Sequence, residues 1–282
     1  MKTGITGATG QLGHLVVESL KRKVATENLV ALVRTPEKAS DLGIEARAFD
    51  YEKPEGLIES LQGIDHLLLI SGNEIGKRKH QHENVINAAK QAGVKWIVYT
   101  SLLHADKSTL SLAGEHKATE EALKASGIAY TLLRNGWYTE NYMNSVPGAV
   151  KAGVLVGSAG EGKISSATRE DFAEAAAVVL ASENQEGKVY ELAGDDYFTL
   201  TDLAAEVSRQ TGKDVSYKNL PETEYAEMLK GFGLPEEGAK AIAGFDTGAA
   251  KNDLFDDSKQ LSRLIGRPTT PLAQVVKDIL GS

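Results

Sequence analysis

The sequence predicts an α/β fold with a Rossmann-type doubly wound parallel sheet, followed by a smaller, mainly helical C-terminal part. Three observations lead to this prediction. A glycine-rich turn separates an opening strand from an amphipathic helix, short apolar runs then alternate with helical segments for about six rounds, and this alternation stops near residue 138. Alternation of this kind is typical of parallel sheets whose crossover connections are helices.

The glycine turn contains Gly7, Gly10 and Gly13, and it directly follows the short stretch 1–6. An amphipathic run over 12–20 begins within the turn. This strand–turn–helix order suits a dinucleotide, because glycine permits a tight turn and lets a pyrophosphate approach the helix N-terminus. A glycine turn that binds nothing is the alternative. Gly4 stands where a central parallel strand normally has a large aliphatic residue, so we expect a weakened central strand here.

The following segments continue the alternation. Further strands are predicted at 29–33, 45–49, 66–70, 96–100 and 130–133, and helices at 54–61, 81–92 and 115–126. In the helix over 81–92, Val85, Ile86 and Ala89 are expected to face inward.

The regular alternation of strands and helices stops after Tyr138. Residues 139–167 are rich in Gly, Asn, Ser and Pro, and no regular element is assigned to them. Helices are then predicted at 169–181 and 200–210 and near residues 225, 237, 261 and 275, with strands at 189–192 and 215–217. A layer of this kind commonly covers the strand ends of an open sheet and forms a substrate cleft with them.

Arg34 follows directly after the second predicted strand. A Rossmann unit that prefers NAD usually has an acidic side chain at this point, whereas an arginine suits the 2′-phosphate of NADP(H). Lys38 adds a second cation in the next turn. An ordinary solvated arginine is the alternative, but the position gains meaning from the glycine turn, and it predicts NADP(H) as the cofactor.

Two further strand ends supply candidate cofactor contacts. Asp50 could accept a hydrogen bond from the adenine amino group, although an acidic residue that merely starts a loop is an equally good interpretation. Ser71 and Gly72 follow the most apolar strand, and ligands of open parallel sheets lie beyond the carboxyl ends of the strands. We therefore interpret residues 1–138 as an NADP-binding domain, completed by a strand at 189–194, and residues 139–282 as a substrate-binding or lid region.

His80 and His82 are the only closely spaced histidines, and their two-residue spacing does not place them on one helical face. No carboxylate-rich motif accompanies them, so we interpret both as surface histidines and predict no metal site.

Composition excludes several classes of partner. The formal net charge is −8 and the pI is about 5.4, which argues against nucleic acid or an anionic membrane as the main partner. The chain has no cysteine and hence no disulfide or thiolate nucleophile, and it has no apolar run near the ~20 residues that span a bilayer. It begins directly on the first predicted strand, so we expect no signal peptide and a cytoplasmic protein. A homodimer is the assembly considered, since helix faces of such folds often form dimers.

Typical short-chain dehydrogenases use a Tyr and a Lys four residues later, and none of the nine tyrosines here has such a lysine. This absence favours an acceptor that requires little proton chemistry from the enzyme, such as a quinone or a cationic dye. The catalytic residue stays unknown, with Ser101, His104, Lys117 and Tyr138 as candidates, although a surface lysine is the simpler interpretation of Lys117. Trp137, Tyr138 and Tyr142 are candidate apolar walls of a substrate pocket, and core packing explains them equally well.

Six segments together resemble the NmrA-like, atypical branch of the short-chain dehydrogenases. They are Ile5–Gly13, Val33–Arg34, Leu68–Ser71, Tyr99–Asp106, Leu133–Tyr138 and Phe255–Lys259, and the likeness extends over nearly the whole chain. The segments after the glycine turn are the more specific ones.

The resemblance implies flavin-free, NADPH-dependent reduction of quinones. It implies that the loop of Gly7, Ala8, Thr9, Gly10, Gln11 and Leu12 holds the pyrophosphate, that Arg34 holds the 2′-phosphate, and that Ser71 and Gly72 line the ribose. Asn135, Gly136, Trp137 and Tyr138 would border the nicotinamide, and Arg169 could reach the cofactor. A non-enzymatic NADP(H)-binding redox sensor of the NmrA type stays open as the alternative, because one fold serves both roles.

Overall fold

The computed structural model describes residues 1–281, and Ser282, the last residue of the predicted second region, lies outside the described residues. The chain divides into two compact units. The first unit comprises Met1–Asp106, Leu112–Asn135 and Arg169–Glu191. The second unit comprises Lys107–Ser111, Gly136–Thr168 and the chain from Leu192 onward. Each unit is therefore built from segments that are separated in the sequence.

The regular elements are numbered in chain order. The strands are β1 (Thr3–Thr6), β2 (Leu29–Val33), β3 (Glu45–Ala48), β4 (His66–Leu69), β5 (Trp96–Leu102), β6 (Ala129–Asn135), β7 (Val154–Gly157), β8 (Val189–Leu192) and β9 (Ser216–Asn219). The helices are α1 (Gln11–Lys21), α2 (Pro54–Ser60), α3 (Arg78–Ala92), α4 (Ala113–Ser126), α5 (Glu140–Met143), α6 (Val146–Ala152), α7 (Arg169–Ala181), α8 (Leu200–Thr211), α9 (Glu222–Gly231), α10 (Glu236–Ala250), α11 (Gln260–Ile265) and α12 (Leu272–Leu280).

A seven-stranded sheet organises the first unit, in the order β3-β2-β1-β4-β5-β6-β8. The strands β1 to β6 pair in parallel throughout. On one face, α2, α3 and α4 contribute to a buried apolar cluster with the sheet, and α1 packs against α7. The doubly wound fold that the sequence predicts is confirmed, and the bounds of its elements either agree with the prediction or differ by up to three residues.

The central strand β1 is fully buried even though it contains Gly4. A Cβ atom built on Gly4 would lie 2.8 Å from Leu32 Cδ1 and 3.3 Å from Ile64 Cγ2. Neighbouring side chains therefore fill the space that a large residue would have occupied. The missing side chain is compensated by packing, and β1 pairs with both β2 and β4.

The second unit is mainly helical, as predicted, and it also contains the two-stranded parallel sheet of β7 and β9. The assignment of no regular element to 139–167 was wrong, because α5, α6 and β7 all lie there. Gly153 ends α6 in the left-handed conformation, and β7 then pairs with a strand about sixty residues further along the chain. A partner that distant leaves no local pattern in the sequence.

Within residues 1–281, no helix is long and apolar enough to cross a membrane.

Candidate functional site

The sheet order places a crevice between β1 and β4. From β1 the chain runs outward to β2 and β3 on one side, and then returns to form β4, β5 and β6 on the other side. At such a switch point the connections leave the two central strands in opposite directions, and ligands of open α/β sheets bind beyond the strand ends there. The predicted glycine turn follows β1, and Ser71 and Gly72 follow β4, so both predicted segments border this crevice.

The turn after β1 requires its glycines. Gly7 adopts a φ of +59°, a left-handed conformation that side chains disfavour, and its carbonyl accepts the Gly10 N–H at 2.8 Å. A Cβ atom on Gly13 would lie 2.2 Å from Gly7 O, so α1 packs directly on the backbone of the turn. Ala8 is buried, whereas Thr9 and Gln11 are exposed.

The N-terminus of α1 is open to an anion. Its N-cap is Gly10, no side chain of the described residues caps it, and its first turn contains no acidic residue. The first N–H groups of a helix lack intrahelical partners, and they attract negative charge. This end of α1 therefore fits a dinucleotide pyrophosphate.

Arg34 is exposed directly after β2, and Lys38 is exposed in the short 3₁₀ helix Pro36–Leu42 that follows. Two cations at this edge of the sheet suit a phosphate. Asp50 is half-buried after β3, where its Oδ1 accepts the Glu52 N–H at 3.1 Å and its other oxygen lies 3.6 Å from Lys53 Nζ.

The interpretation of His82 as a surface histidine was wrong, since its side chain is fully buried, whereas His80 is exposed. The physical reason is a pair of hydrogen bonds: Nε2 accepts the Gly72 N–H at 3.0 Å, and Nδ1 lies 2.9 Å from Thr119 Oγ1. Burial, together with the nearby Arg78 guanidinium, lowers the pKa of His82 to about 3. In residues 1–281, no group of three or more His, Cys, Asp or Glu side chains is placed to hold a metal ion.

Two of the catalytic candidates, Ser101 and His104, belong to an ion-pair network centred on Arg134. Ser101 Oγ donates to Glu120 Oε1 at 2.6 Å, and the His104 backbone N–H donates to Glu191 Oε2 at 2.9 Å. Arg134 bridges Glu120 and Glu191 at 2.7 and 2.8 Å. The pKa of Arg134 is raised above its usual range, and the hydrogen bond to Glu120 is the largest cause. Lys117, the third candidate, is exposed on α4.

Asn135 ends β6 and is buried, yet its side-chain Oδ1 accepts no hydrogen bond from any described residue. A buried unpaired acceptor is unfavourable by roughly 1–3 kcal/mol, and it is normally explained by water, an ion or a ligand. Arg169 is half-buried as the first residue of α7.

Trp137, Tyr138 and Tyr142 lie in the second unit and are half-buried. The Trp137 ring meets Phe245 edge-on, with centroids 5.1 Å apart, and the Tyr142 ring meets Phe198 at 5.8 Å. Tyr138 forms an isolated parallel bridge with Ala167. Edge-to-face contacts of this kind fix the orientation of aromatic rings.

Asp246 is a buried acid that the sequence analysis missed. It lies on α10 next to Phe245, and its Oδ2 accepts the Ser158 N–H at 2.8 Å. Burial raises the pKa of Asp246 to about 6, partly offset by this hydrogen bond. The pKa of Tyr142 is raised well above its usual value: burial is the largest cause, and the negative charge of Asp246 is the next. A signal existed, because Asp246 continues the helical stripe of Ala239 and Ala243.

Comparison with known proteins relates the whole chain to reductases. Residues 7–183 match a family described as NAD(P)H-binding. Quinone oxidoreductase 2 of Escherichia coli is 58% identical over 278 residues, which cover 98% of this chain and 97% of the relative. An NmrA-like family domain-containing oxidoreductase of Aspergillus flavus is 29% identical, over 99% of this chain and 95% of the relative.

Two solved structures share the fold closely. The Escherichia coli NADPH-dependent quinone oxidoreductase in complex with NADPH superposes with a TM-score of 0.97 at 57% identity, covering 99% of both chains. The triphenylmethane reductase of Citrobacter sp. in complex with NADP(H) has a TM-score of 0.95 at 38% identity, covering 99% of this chain and 100% of the other.

Proposed function

This chain belongs to the NAD(P)H-binding family, and we propose that it is a flavin-free reductase that transfers hydride from NADPH to quinones. The observation that carries the proposal is the 58% identity to a quinone oxidoreductase over 98% of the chain. NADPH loses a hydride, the quinone gains that hydride and one proton, and the products are NADP⁺ and hydroquinone. The substrate is therefore a small molecule.

The first unit supplies most of the proposed cofactor contacts. The open N-terminus of α1, with the loop Gly7–Leu12, holds the pyrophosphate, and Arg34 holds the 2′-phosphate. Ser71 and Gly72 line the ribose, and Asp50 accepts a hydrogen bond from the adenine amino group. Asn135 fits a role at the nicotinamide, because its Oδ1 is a buried acceptor that a carboxamide N–H₂ could satisfy. Arg169, Gly136, Trp137 and Tyr138 complete the proposed cofactor set.

The second unit supplies the proposed walls of the quinone pocket: Trp137, Tyr138 and Tyr142. The contacts with Phe245 and Phe198 support this role, since rings that are already held in place lose little freedom when a flat substrate binds. The chain from 139 onward is accordingly the proposed substrate-binding region.

Little acid–base chemistry is required of the protein. The cofactor supplies the hydride when it is bound, and the protein contributes binding, orientation and exclusion of water. The lack of a Tyr and Lys pair on one helix face fits an acceptor of this kind. Ser101, His104, Lys117 and Tyr138 remain the proposed candidates for donating the proton. The absence of cysteine is compatible with the reducing cytoplasm, which is the proposed compartment.

A steady-state assay tests the proposal. The purified protein, shown to be free of flavin, is mixed with NADPH and either benzoquinone or menadione, and the loss of nicotinamide absorbance is followed. We expect oxidation that depends on both protein and quinone and that saturates with each substrate. Tight binding of NADP⁺ without any quinone-dependent oxidation would contradict the enzyme and favour a redox sensor of the NmrA type.

A further inference from the structure

We propose that His82 and Arg78 are positioning residues that hold the backbone of Gly72 from both sides and thereby shape the loop against which the cofactor ribose binds. The inference rests on the proposed function, because that function places Ser71 and Gly72 at the cofactor. It adds two buried side chains of α3, neither of which is among the proposed cofactor contacts.

Both polar groups of the Gly72 backbone are taken up by α3. The Gly72 N–H donates to His82 Nε2 at 3.0 Å, and the Gly72 carbonyl accepts from Arg78 Nε at 2.5 Å. His82 is 0% exposed and Arg78 is 8% exposed. Hydrogen bonds that are shielded from water hold their geometry better than exposed ones, because water cannot compete for the same groups.

The bonds to His82 define one tautomer of the imidazole. Nε2 accepts from Gly72, so the ring proton must be on Nδ1, which donates to Thr119 Oγ1 at 2.9 Å. The Thr119 hydroxyl in turn donates to the Glu115 carbonyl at 3.0 Å. The neutral ring protonated at Nδ1 is the form that can accept from Gly72 and donate to Thr119.

The two hydrogen bonds from His82 and Arg78 to the Gly72 backbone, called the clamp below, are part of a larger pattern at the end of β4. Three successive backbone N–H groups leave the strand ladder and bind side chains: Ile70 binds Thr6 Oγ1, Ser71 binds Thr100 Oγ1, each at 2.9 Å, and Gly72 binds His82. The three acceptors come from β1, β5 and α3. The loop is thus directed away from the sheet by specific bonds at each step.

The region around the clamp leaves little freedom. Glu115 Oε1 accepts the Gly76 N–H at 3.0 Å, and Glu115 Oε2 lies 3.7 Å from Arg78 Nη1, with both atoms buried. A Cβ atom on Gly72 would lie 2.8 Å from Gln81 Oε1. A loop held in this way before binding spares the cofactor the entropy of ordering it, which is the general origin of affinity through preorganisation.

The test measures NADPH affinity without any quinone, from the change in nicotinamide fluorescence on binding. His82→Leu removes the acceptor, and we expect the Kd for NADPH to rise about tenfold, the loss typical of one buried hydrogen bond. His82→Gln keeps an acceptor oxygen that Gly72 can reach, so its Kd should stay close to wild type. His80→Leu is the matched control, because His80 is an exposed histidine on the same helix.

Thr119→Val is the second variant in case His82→Leu does not fold. It removes the acceptor for Nδ1–H while preserving shape, so the histidine loses its preferred tautomer and the Kd should rise by a smaller factor. Nitrogen NMR of His82 in the wild-type protein should show a neutral ring protonated at Nδ1. Equal Kd values for wild type, His82→Leu and Thr119→Val would overturn the proposal, as would a ring protonated at Nε2.

The readouts separate this inference from the proposed function. If the protein binds NADPH with the affinities expected for these variants but reduces no quinone, the proposed enzyme activity is contradicted and the proposed role of His82 and Arg78 still stands. A His82→Gln variant as weak in NADPH binding as His82→Leu, with the same fall in melting temperature, would show that His82 matters only for folding.

Discussion

The exposed guanidinium of Arg34 carries the proposed choice between the two nicotinamide cofactors. NADPH differs from NADH by one phosphate, and a hydrogen bond to a charged group contributes about 1.5–3 kcal/mol. Arg34→Ala should therefore weaken NADPH about ten- to a hundredfold and leave NADH nearly unchanged. Dissociation constants for both cofactors measure this, and Arg34→Lys, which keeps the charge without the planar fork, should lose less. Equal losses of affinity for NADPH and NADH would show that Arg34 does not bind the 2′-phosphate.

His82 shows what sequence reasoning at the residue scale can miss. Its spacing from His80 excluded a shared face for a metal, but the conclusion that it lies on the surface ignored its place in the helix. His82 is three, four and seven residues before Val85, Ile86 and Ala89, the positions predicted to face inward, and all three are buried. Its own burial was therefore predictable, whereas its bond to Gly72 was not, because that bond joins two elements.

At the scale of elements, the contact between α1 and the turn after β1 has no spare room. A methyl group on Gly13 would meet Gly7 O at 2.2 Å and Ala8 Cα at 2.8 Å, both backbone atoms that cannot rotate away. Gly13→Ala should destabilise the protein by about 1–3 kcal/mol and weaken cofactor binding, because the turn must shift.

The control is Gly114→Ala in α4, since a Cβ atom there meets nothing within 4 Å. Alanine at this exposed helical position should be neutral or stabilising by up to about 1 kcal/mol. Chemical denaturation of both variants checks the pair. Similar stabilities for the two would mean that α1 can move away from the turn.

Elements with strong local patterns were predictable, and those that depend on distant partners were not. The buried strands β2 and β4 and the helices α3 and α7 follow from apolar runs and helical periodicity, and the structure places them within three residues of the prediction. In contrast, β7 is a strand because β9 pairs with it, and the short helices α5 and α6 precede it. Predicting that pairing would require knowing the fold of the second unit.

At the scale of the whole molecule, Asp246 links stability to pH. Its pKa is raised from 3.8 to about 6, so the folded state holds a proton more tightly than the unfolded state does. The protonated form is fully stabilising below about pH 4, and this contribution is lost as the pH rises through 6. The difference corresponds to at most about 3 kcal/mol, disfavouring the folded protein at neutral pH.

Asp246→Asn should therefore stabilise the protein at pH 7, because an amide can accept the Ser158 N–H without carrying a buried charge. The gain over wild type should shrink as the pH falls and vanish near pH 4. Melting temperatures across this range provide the measurement, with Glu237→Gln, an exposed acid on the same helix, as the control. A gain that does not change with pH would show that Asp246 is not the titrating group.

The family and the fold were accessible from the sequence, and the comparisons confirm both the NmrA-like resemblance and the reductase relatives. The glycine turn alone identified only a dinucleotide-binding pattern. The segments after the glycine turn carried the more specific resemblance. The buried polar groups His82, Arg78 and Asp246 did not emerge, because their importance arises from burial and from partners that are distant in the sequence.

The two units are built from alternating segments of the chain, and this arrangement affects how the protein folds during its synthesis. The chain passes from one unit to the other after Asp106, Ser111, Asn135, Thr168 and Glu191. The first unit therefore lacks α7 and the edge strand β8 until their residues have been synthesised. A nascent chain on the ribosome thus displays β6 with an open edge while more than fifty further residues are added. A gene truncated after residue 138 would leave that edge permanently uncovered, so it should yield an aggregating fragment rather than an independent nucleotide-binding module.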